Sequence, residues 1–303
     1  MSNIVLAIIE LDTFPKEVAK RAAWIAGRYG YDLELMFSDP TLGVLRDSYL
    51  VSSQAQEIAE NIREAQEQIL RDLAEDVAAS GLTISTSVTH DRPAADAVVA
   101  KAVEIEPKFV VKGTNFHSAA DRARFTYTDW RLIRKLTVPL WLVKSQDLKA
   151  QPVIVAAVDP THRHDEEGTL DQVIVDTAKE LAGNTDGHLH LLHTYERLVE
   201  IGRHAMLTFK PVKLPIEELE QNVRDMHREK LDALARRNGI ADDDVHQLPG
   251  RTHEILPMFA RAQGADIVVM GALQRSALKR RVLGSTAEKV LDHLPCDILI
   301  ARG

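Results

Sequence analysis

The chain has 303 residues, room for two domains of roughly 150 residues each. Apolar residues make up 45% and charged residues 27%, so each half can bury a core of its own. Thirty-seven Lys and Arg oppose forty-five Asp and Glu, a net charge of −8 that argues against a nucleic-acid binder. The single cysteine, Cys296, excludes a disulfide framework and a Cys-based zinc module.

The first apolar run, Ile4–Ile9, is far shorter than the ~20 residues of a membrane span. It also lacks the basic start and full apolar stretch of a signal peptide. It reads as a buried strand, and the protein is expected to be soluble and cytoplasmic, with no membrane partner. Ile58, Ile62, Ala65, Ile69 and Leu73 then recur at steps of three and four, predicting one face of a long helix over 54–79 with Gly81 as its cap. A strand follows near 83–88, and Phe109-Val110-Val111-Lys112-Gly113 and Leu140-Trp141-Leu142-Val143 read as further strands.

The same order then repeats. Val153-Ile154-Val155-Ala156-Ala157-Val158-Asp159 resembles the first run with its terminal Glu10, and Leu189-His190-Leu191-Leu192-His193 resembles Leu33-Glu34-Leu35-Met36-Phe37. Ile216, Leu219, Val223, Met226, Leu231 and Leu234 mark a second long helix, ended by Gly239. A weak strand near 244–248 follows it, then strands at Ile267-Val268-Val269-Met270-Gly271 and Ile298-Leu299-Ile300-Ala301. Short apolar runs alternating with helical patterns signal βαβ units around a parallel sheet. The chain is therefore an α/β protein: two tandem doubly wound domains, 1–147 and 152–303, each with a five-stranded parallel sheet. Ligands of such sheets sit beyond the C-terminal strand ends where the order reverses, which directs attention to Glu10, Asp159, Gly113 and Gly271.

The most informative stretch runs from Gly271 through Gln274 to Gly284-Ser285-Thr286-Ala287-Glu288. A strand enters Gly271, and a second glycine precedes a Ser-Thr pair and a helix start. Unpaired N–H groups at a helix N-terminus suit phosphate. Ser285 and Thr286 add hydroxyl donors, and Arg275, Lys279, Arg280 and Arg281 supply positive charge. Ser285 with Glu288 is equally a capping box, which alone explains both residues. Neither a P-loop nor a Gly-x-Gly-x-x-Gly fingerprint occurs.

Gly271, two residues, Gln274, nine residues, then Gly284-Ser285 resembles the universal stress protein motif Gly-x2-Gly-x9-Gly-Ser/Thr. The resemblance covers both halves, supported in the first by Thr126-Tyr127-Thr128-Asp129-Trp130-Arg131 and in the second by Asp292-His293-Leu294-Pro295-Cys296-Asp297. It implies an adenine nucleotide α-hydrolase-like fold, with the two domains packed as a pseudo-dimer. It also implies ATP or a related adenine nucleotide, with or without Mg²⁺, as a regulatory ligand in a stress response. By the resemblance, Asp159 meets adenine, and Met270 and Gly271 lie under base and ribose. Thr194 borders adenine, and Gly284, Ser285 and Thr286 hold phosphate. Gln274 stands at the motif's second glycine, where its side chain either crowds the phosphates or hydrogen-bonds to them. The first half keeps only Gly113, with Phe116 and Thr126 at the other two glycine positions, so no family-type ATP site is expected there. Phe116, Phe125, Tyr127 and Trp130 suggest an apolar surface there, read here as packing at a domain interface.

Ten of the twelve histidines lie in the second half. His188 and His190 would share a strand face and His193 the opposite one, while His162 and His164 sit in a loop with Asp165 and Glu166. Exposed or half-buried imidazoles explain this pattern without a metal, and no zinc is expected. No nucleophile–base signature appears, no catalytic residue is assigned, and Cys296 reads as a small core residue. Two other functions stay open beside nucleotide binding: a scaffolding or small-molecule-binding protein that does not use a nucleotide, and a slow ATPase. The downstream protein partner is unidentified, and the chain is either a monomer or a homodimer.

Overall fold

The computed structural model describes residues 2–40, 42, 53–79, 81–90, 93–114, 128–144, 146–161, 169–197, 216–271, 290–291 and 293–302. Gln274, Gly284, Ser285 and Thr286 lie outside these residues, as do Phe116, Phe125, Tyr127, His162 and His164. The chain divides into two units, one of residues 1–147 with 297–300, the other of 148–296 with 301–303.

In the first unit the strands are β1 (Ile4–Ile9), β2 (Asp32–Ser38), β3 (Ile84–Thr89), β4 (Phe109–Gly113) and β5 (Leu140–Val143). The described helices between them are α1 (Pro15–Tyr29), α2 (Ser53–Val77), α3 (Ala94–Ile105) and α4 (Thr128–Lys135). The strand order β3-β2-β1-β4-β5 is parallel throughout, and it reverses between β1 and β4. Val5, Leu6, Ala7, Ile8 and Ile9 are all fully buried, as an uninterrupted apolar run in a two-sided sheet must be.

The second unit repeats the plan with β6 (Val153–Val158), β7 (His188–Tyr195), β8 (Val245–Pro249) and β9 (Ile267–Gly271). Its described helices are α5 (Leu170–Thr185), α6 (Ile216–Asn238) and α7 (Thr252–Gln263), and its order β9-β6-β7-β8 is again parallel. The order reverses between β6 and β9, and β8 is an edge. The last strand, β10 (Asp297–Ala301), pairs antiparallel with β5 through residues of the first unit. Asp297 fixes this pairing: its fully buried carboxylate takes the Arg21 guanidinium, the Trp141 indole N–H at 2.7 Å and the Lys144 amide at 2.9 Å. No helix among the described residues is long and apolar enough to cross a membrane.

The two long helices form where the periodicity puts them, but only the C-terminal part of each expected face, Leu73 in one and Leu231 and Leu234 in the other, is buried. In α2, Ile58 is 53% exposed and Ala65 is exposed, while Gln66, Leu70 and Leu73 are buried. In α6, Leu219 and Met226 are exposed, and His227, Leu231, Leu234 and Ala235 are buried. The cause is length. A 25-residue helix spans about 37 Å, whereas the six-residue strand β3 beside it spans about 20 Å, so the N-terminal half of the helix finds no sheet to cover. Gly239 follows α6 with φ of 67° as its cap, whereas Gly81 lies beyond the Val77 end of α2 and caps nothing directly.

Candidate functional site

In the second unit the reversal of strand order brings the C-terminal ends of β6 and β9 side by side, in register through Ala156 and Val269. Asp159 follows β6, Met270 and Gly271 end β9, and Thr194 lies near the end of β7. These four predicted residues therefore share one end of one sheet. The Asp159 amide donates to Asp171 Oδ1 at 2.8 Å, a carboxylate in the first turn of α5, which fixes the chain as it leaves the strand. One Asp159 oxygen, Oδ1, accepts the Thr161 hydroxyl at 2.5 Å and the Thr161 amide at 3.3 Å, an Asx-turn that orients the half-buried carboxylate. Met270 is buried and apolar, and a Cβ on Gly271 would come within 2.7 Å of the Leu170 side chain. The Thr194 hydroxyl is tied to that of Thr252 at 2.6 Å, at the start of α7.

The corresponding crevice of the first unit holds an ion cluster that the sequence reading missed. Lys112 takes the place of Met270, and its ammonium lies 2.7 Å from Glu10 and 2.7 Å from Asp129 on α4. Asp129 also accepts the Thr114 hydroxyl at 2.6 Å, and the Lys112 ammonium donates to the Gly113 carbonyl at 2.9 Å. The Lys112 side chain is 3% exposed. Burial works against its charge, but Asp129 and Glu10 outweigh that and hold its pKa above the ordinary lysine value. Burial also pushes the Glu10 carboxyl upward, against the pull of Lys112. The loop after β1 closes over the same spot, with Thr13 O only 2.0 Å from where a Cβ on Gly113 would stand. The signal in the sequence was a single lysine inside an otherwise apolar strand.

The histidines sort onto two faces, as alternation along β7 requires. His193 turns inward, its Nε2 2.8 Å from Nδ1 of His227 on α6 and its Nδ1 3.0 Å from the Val158 carbonyl. His188 and His190 lie on the other face, with Asp244 and His246 from the neighbouring edge strand and the turn before it. The sequence places a weak strand near 244–248 but gives no sign that Asp244 and His246 meet these histidines, because the pairing of that strand with β7 is set only by the fold.

Fold and strand-end residues together define a doubly wound α/β protein written twice, with its candidate ligand crevice between β6 and β9. The universal stress protein family matches residues 1–144 and 153–302, and the chain belongs to that family. It is similar to universal stress protein E of Escherichia coli K12, 30% identical over 231 residues that cover 74% of this chain and 69% of the relative. Among solved structures, a universal stress protein from Archaeoglobus fulgidus covers all of this chain and is itself covered to 99%, with a TM-score of 0.67 at 15% identity. Another universal stress protein, solved in complex with cAMP, aligns with 51% of this chain and 98% of its own at 22% identity and a TM-score of 0.32.

Proposed function

We propose that this stress-family protein binds an adenine nucleotide, ATP or a relative, in its second domain, 152–303, as a regulatory ligand. The first domain, 1–147, is a degenerate partner that binds none. The observation that carries this reading is the contrast between the two strand-end crevices. In the first, a buried Glu10–Lys112–Asp129 cluster fills the space at the order reversal. In the second, the same strand position is Met270, an apolar surface of the kind a purine ring stacks on.

In this reading the free oxygen of Asp159 accepts the exocyclic amine of adenine, whose edge carries an N–H₂ donor. Met270 and Gly271 lie under the base and ribose, with the Leu170 side chain packed against Gly271. Thr194 borders the base. Gly284, Ser285 and Thr286 hold phosphate through backbone amides and hydroxyls, and Gln274 contributes an amide to the same loop. Nucleotide binding at the 272–283 loop then changes what the protein presents to a partner.

Gly284→Val tests the assignment. It should abolish ATP binding in equilibrium dialysis while the circular dichroism spectrum and melting temperature stay those of the parent. Unchanged affinity would remove the phosphate site from this loop.

A further inference from the structure

At the opposite end of the second unit's sheet, three metal-ligating side chains converge, with a fourth beside one of them. His188 and His190 are two apart on β7 and share a face, Asp244 ends the turn before β8, and His246 lies in β8. Asp244 Oδ1 lies 2.8 Å from His188 Nε2 and 3.5 Å from His190 Nδ1, and His246 Nε2 lies 3.1 Å from His190 Nδ1. Ligand atoms of His188, His190 and Asp244 all fall within 4.8 Å of one another. N and O ligands at ordinary zinc distances stand about 3.3 Å apart around a tetrahedral ion, and the 2.8 and 3.5 Å separations of Asp244 from the two histidines bracket that spacing, while His246 adjoins the group through His190.

We infer that His188, His190 and Asp244, joined on the ion by His246 beside His190, form a site for one divalent transition-metal ion of the zinc class. Three imidazoles and one carboxylate suit zinc, cobalt or nickel, whereas magnesium and calcium demand oxygen ligands. The alternative is a plain hydrogen-bonded cluster, in which one of the facing nitrogens of His190 and His246 carries a proton. A metal ion replaces that proton and satisfies both lone pairs together. Burial disposes two of the ligands toward this: the His190 side chain is 12% exposed, and Phe259 packs 4.8 Å from the His246 ring and 6.1 Å from that of His190. Arg228, on the helix over the other face of the sheet, is engaged by Asp232 at 2.7 Å. The His188 side chain is 58% exposed, leaving solvent access for the ion on that side. Bridging β7 and β8, the ion would clip the edge strand to the sheet. The site lies at the N-terminal ends of these strands, away from the Asp159 crevice, and stands whether or not a nucleotide binds there.

The test is titration of tag-free, chelator-treated protein with Co²⁺, followed by the visible bands of tetrahedral cobalt and by displacement with Zn²⁺. One equivalent per chain is expected, with a rise in melting temperature on Zn²⁺ addition. His190→Gln with His246→Gln should abolish the bands. His188→Gln and Asp244→Asn, each at a position reached by solvent, should each weaken affinity roughly tenfold or more with the fold intact by circular dichroism. His253→Gln should change nothing. Absence of tetrahedral bands, or bands and affinity that survive both His188→Gln and Asp244→Asn, would overturn the site.

Discussion

A lysine near the end of β4 and a methionine near the end of β9 give the two halves opposite chemistry at the same place in the fold. Removing the Lys112 ammonium leaves Glu10 and Asp129 with an uncompensated buried charge between them. Lys112→Met should therefore cost about 3–5 kcal/mol in urea unfolding. The triple variant Glu10→Gln, Lys112→Met, Asp129→Asn should recover most of that loss, since it removes the charges together. If the triple variant is as unstable as the single one, shape and not charge holds the cluster. The pH dependence has a definite sign. The Lys112 pKa stands above its ordinary 10.5, so its stabilising contribution is complete below that value and is lost as pH rises beyond it toward the folded pKa. The urea midpoint of the parent should fall more steeply than that of the triple variant from about pH 10 upward. The two strand-end glycines differ in the same way. A Cβ at Gly113 meets the backbone oxygen of Thr13, whereas at Gly271 it meets the end of a leucine side chain that can shift. Gly113→Ala should cost about 1–3 kcal/mol or more, and Gly271→Ala clearly less.

Strands and helices were legible in the sequence to different depths. Each predicted strand forms, because runs such as Val5 to Ile9 admit no solvent-facing alternative. The strands after the two long helices form as Ile84–Thr89 and Val245–Pro249, one residue from the expected 83–88 and 244–248, the second despite its weak pattern. The helix faces were less legible. Periodicity reports which residues align, not which of them lie over the sheet, so Ile58 and Met226 were misread as core and Leu70 and His227 were overlooked. Leu70→Ala should cost about 2–5 kcal/mol, whereas Ile58→Ala should stay within about 0.5 kcal/mol; equal losses would mean the overhanging half of α2 is covered after all. Side-chain clusters were least legible. Lys112, Glu10 and Asp129 come from three separate segments, and Asp297 meets Arg21 across 276 residues. Only the fold joins them. Asp297→Ala, which strands the Arg21 guanidinium and the Trp141 indole N–H, should lower stability by about 3–5 kcal/mol and loosen the β5–β10 pairing, read as faster amide exchange along Leu140–Val143.

For the molecule as a whole, duplication followed by divergence explains why one chain carries two copies of one sheet plan with unlike strand ends. The repeat was visible in the order of apolar runs alone, and the match of both halves to one family agrees with it. Half of the candidate nucleotide site, Asp159, Thr194, Met270 and Gly271, gathers at one end of the second sheet. Gln274, Gly284, Ser285 and Thr286 enter through the spacing of the motif. If the second half binds an adenine nucleotide and the first does not, isothermal titration of ATP into the full chain, with and without Mg²⁺, should show one saturable site per chain. That site should be lost in Asp159→Ala with Gly284→Val and kept in the triple variant at Glu10, Lys112 and Asp129. Two sites per chain, or no heat of binding at millimolar ATP, would contradict the assignment of binding to the second half.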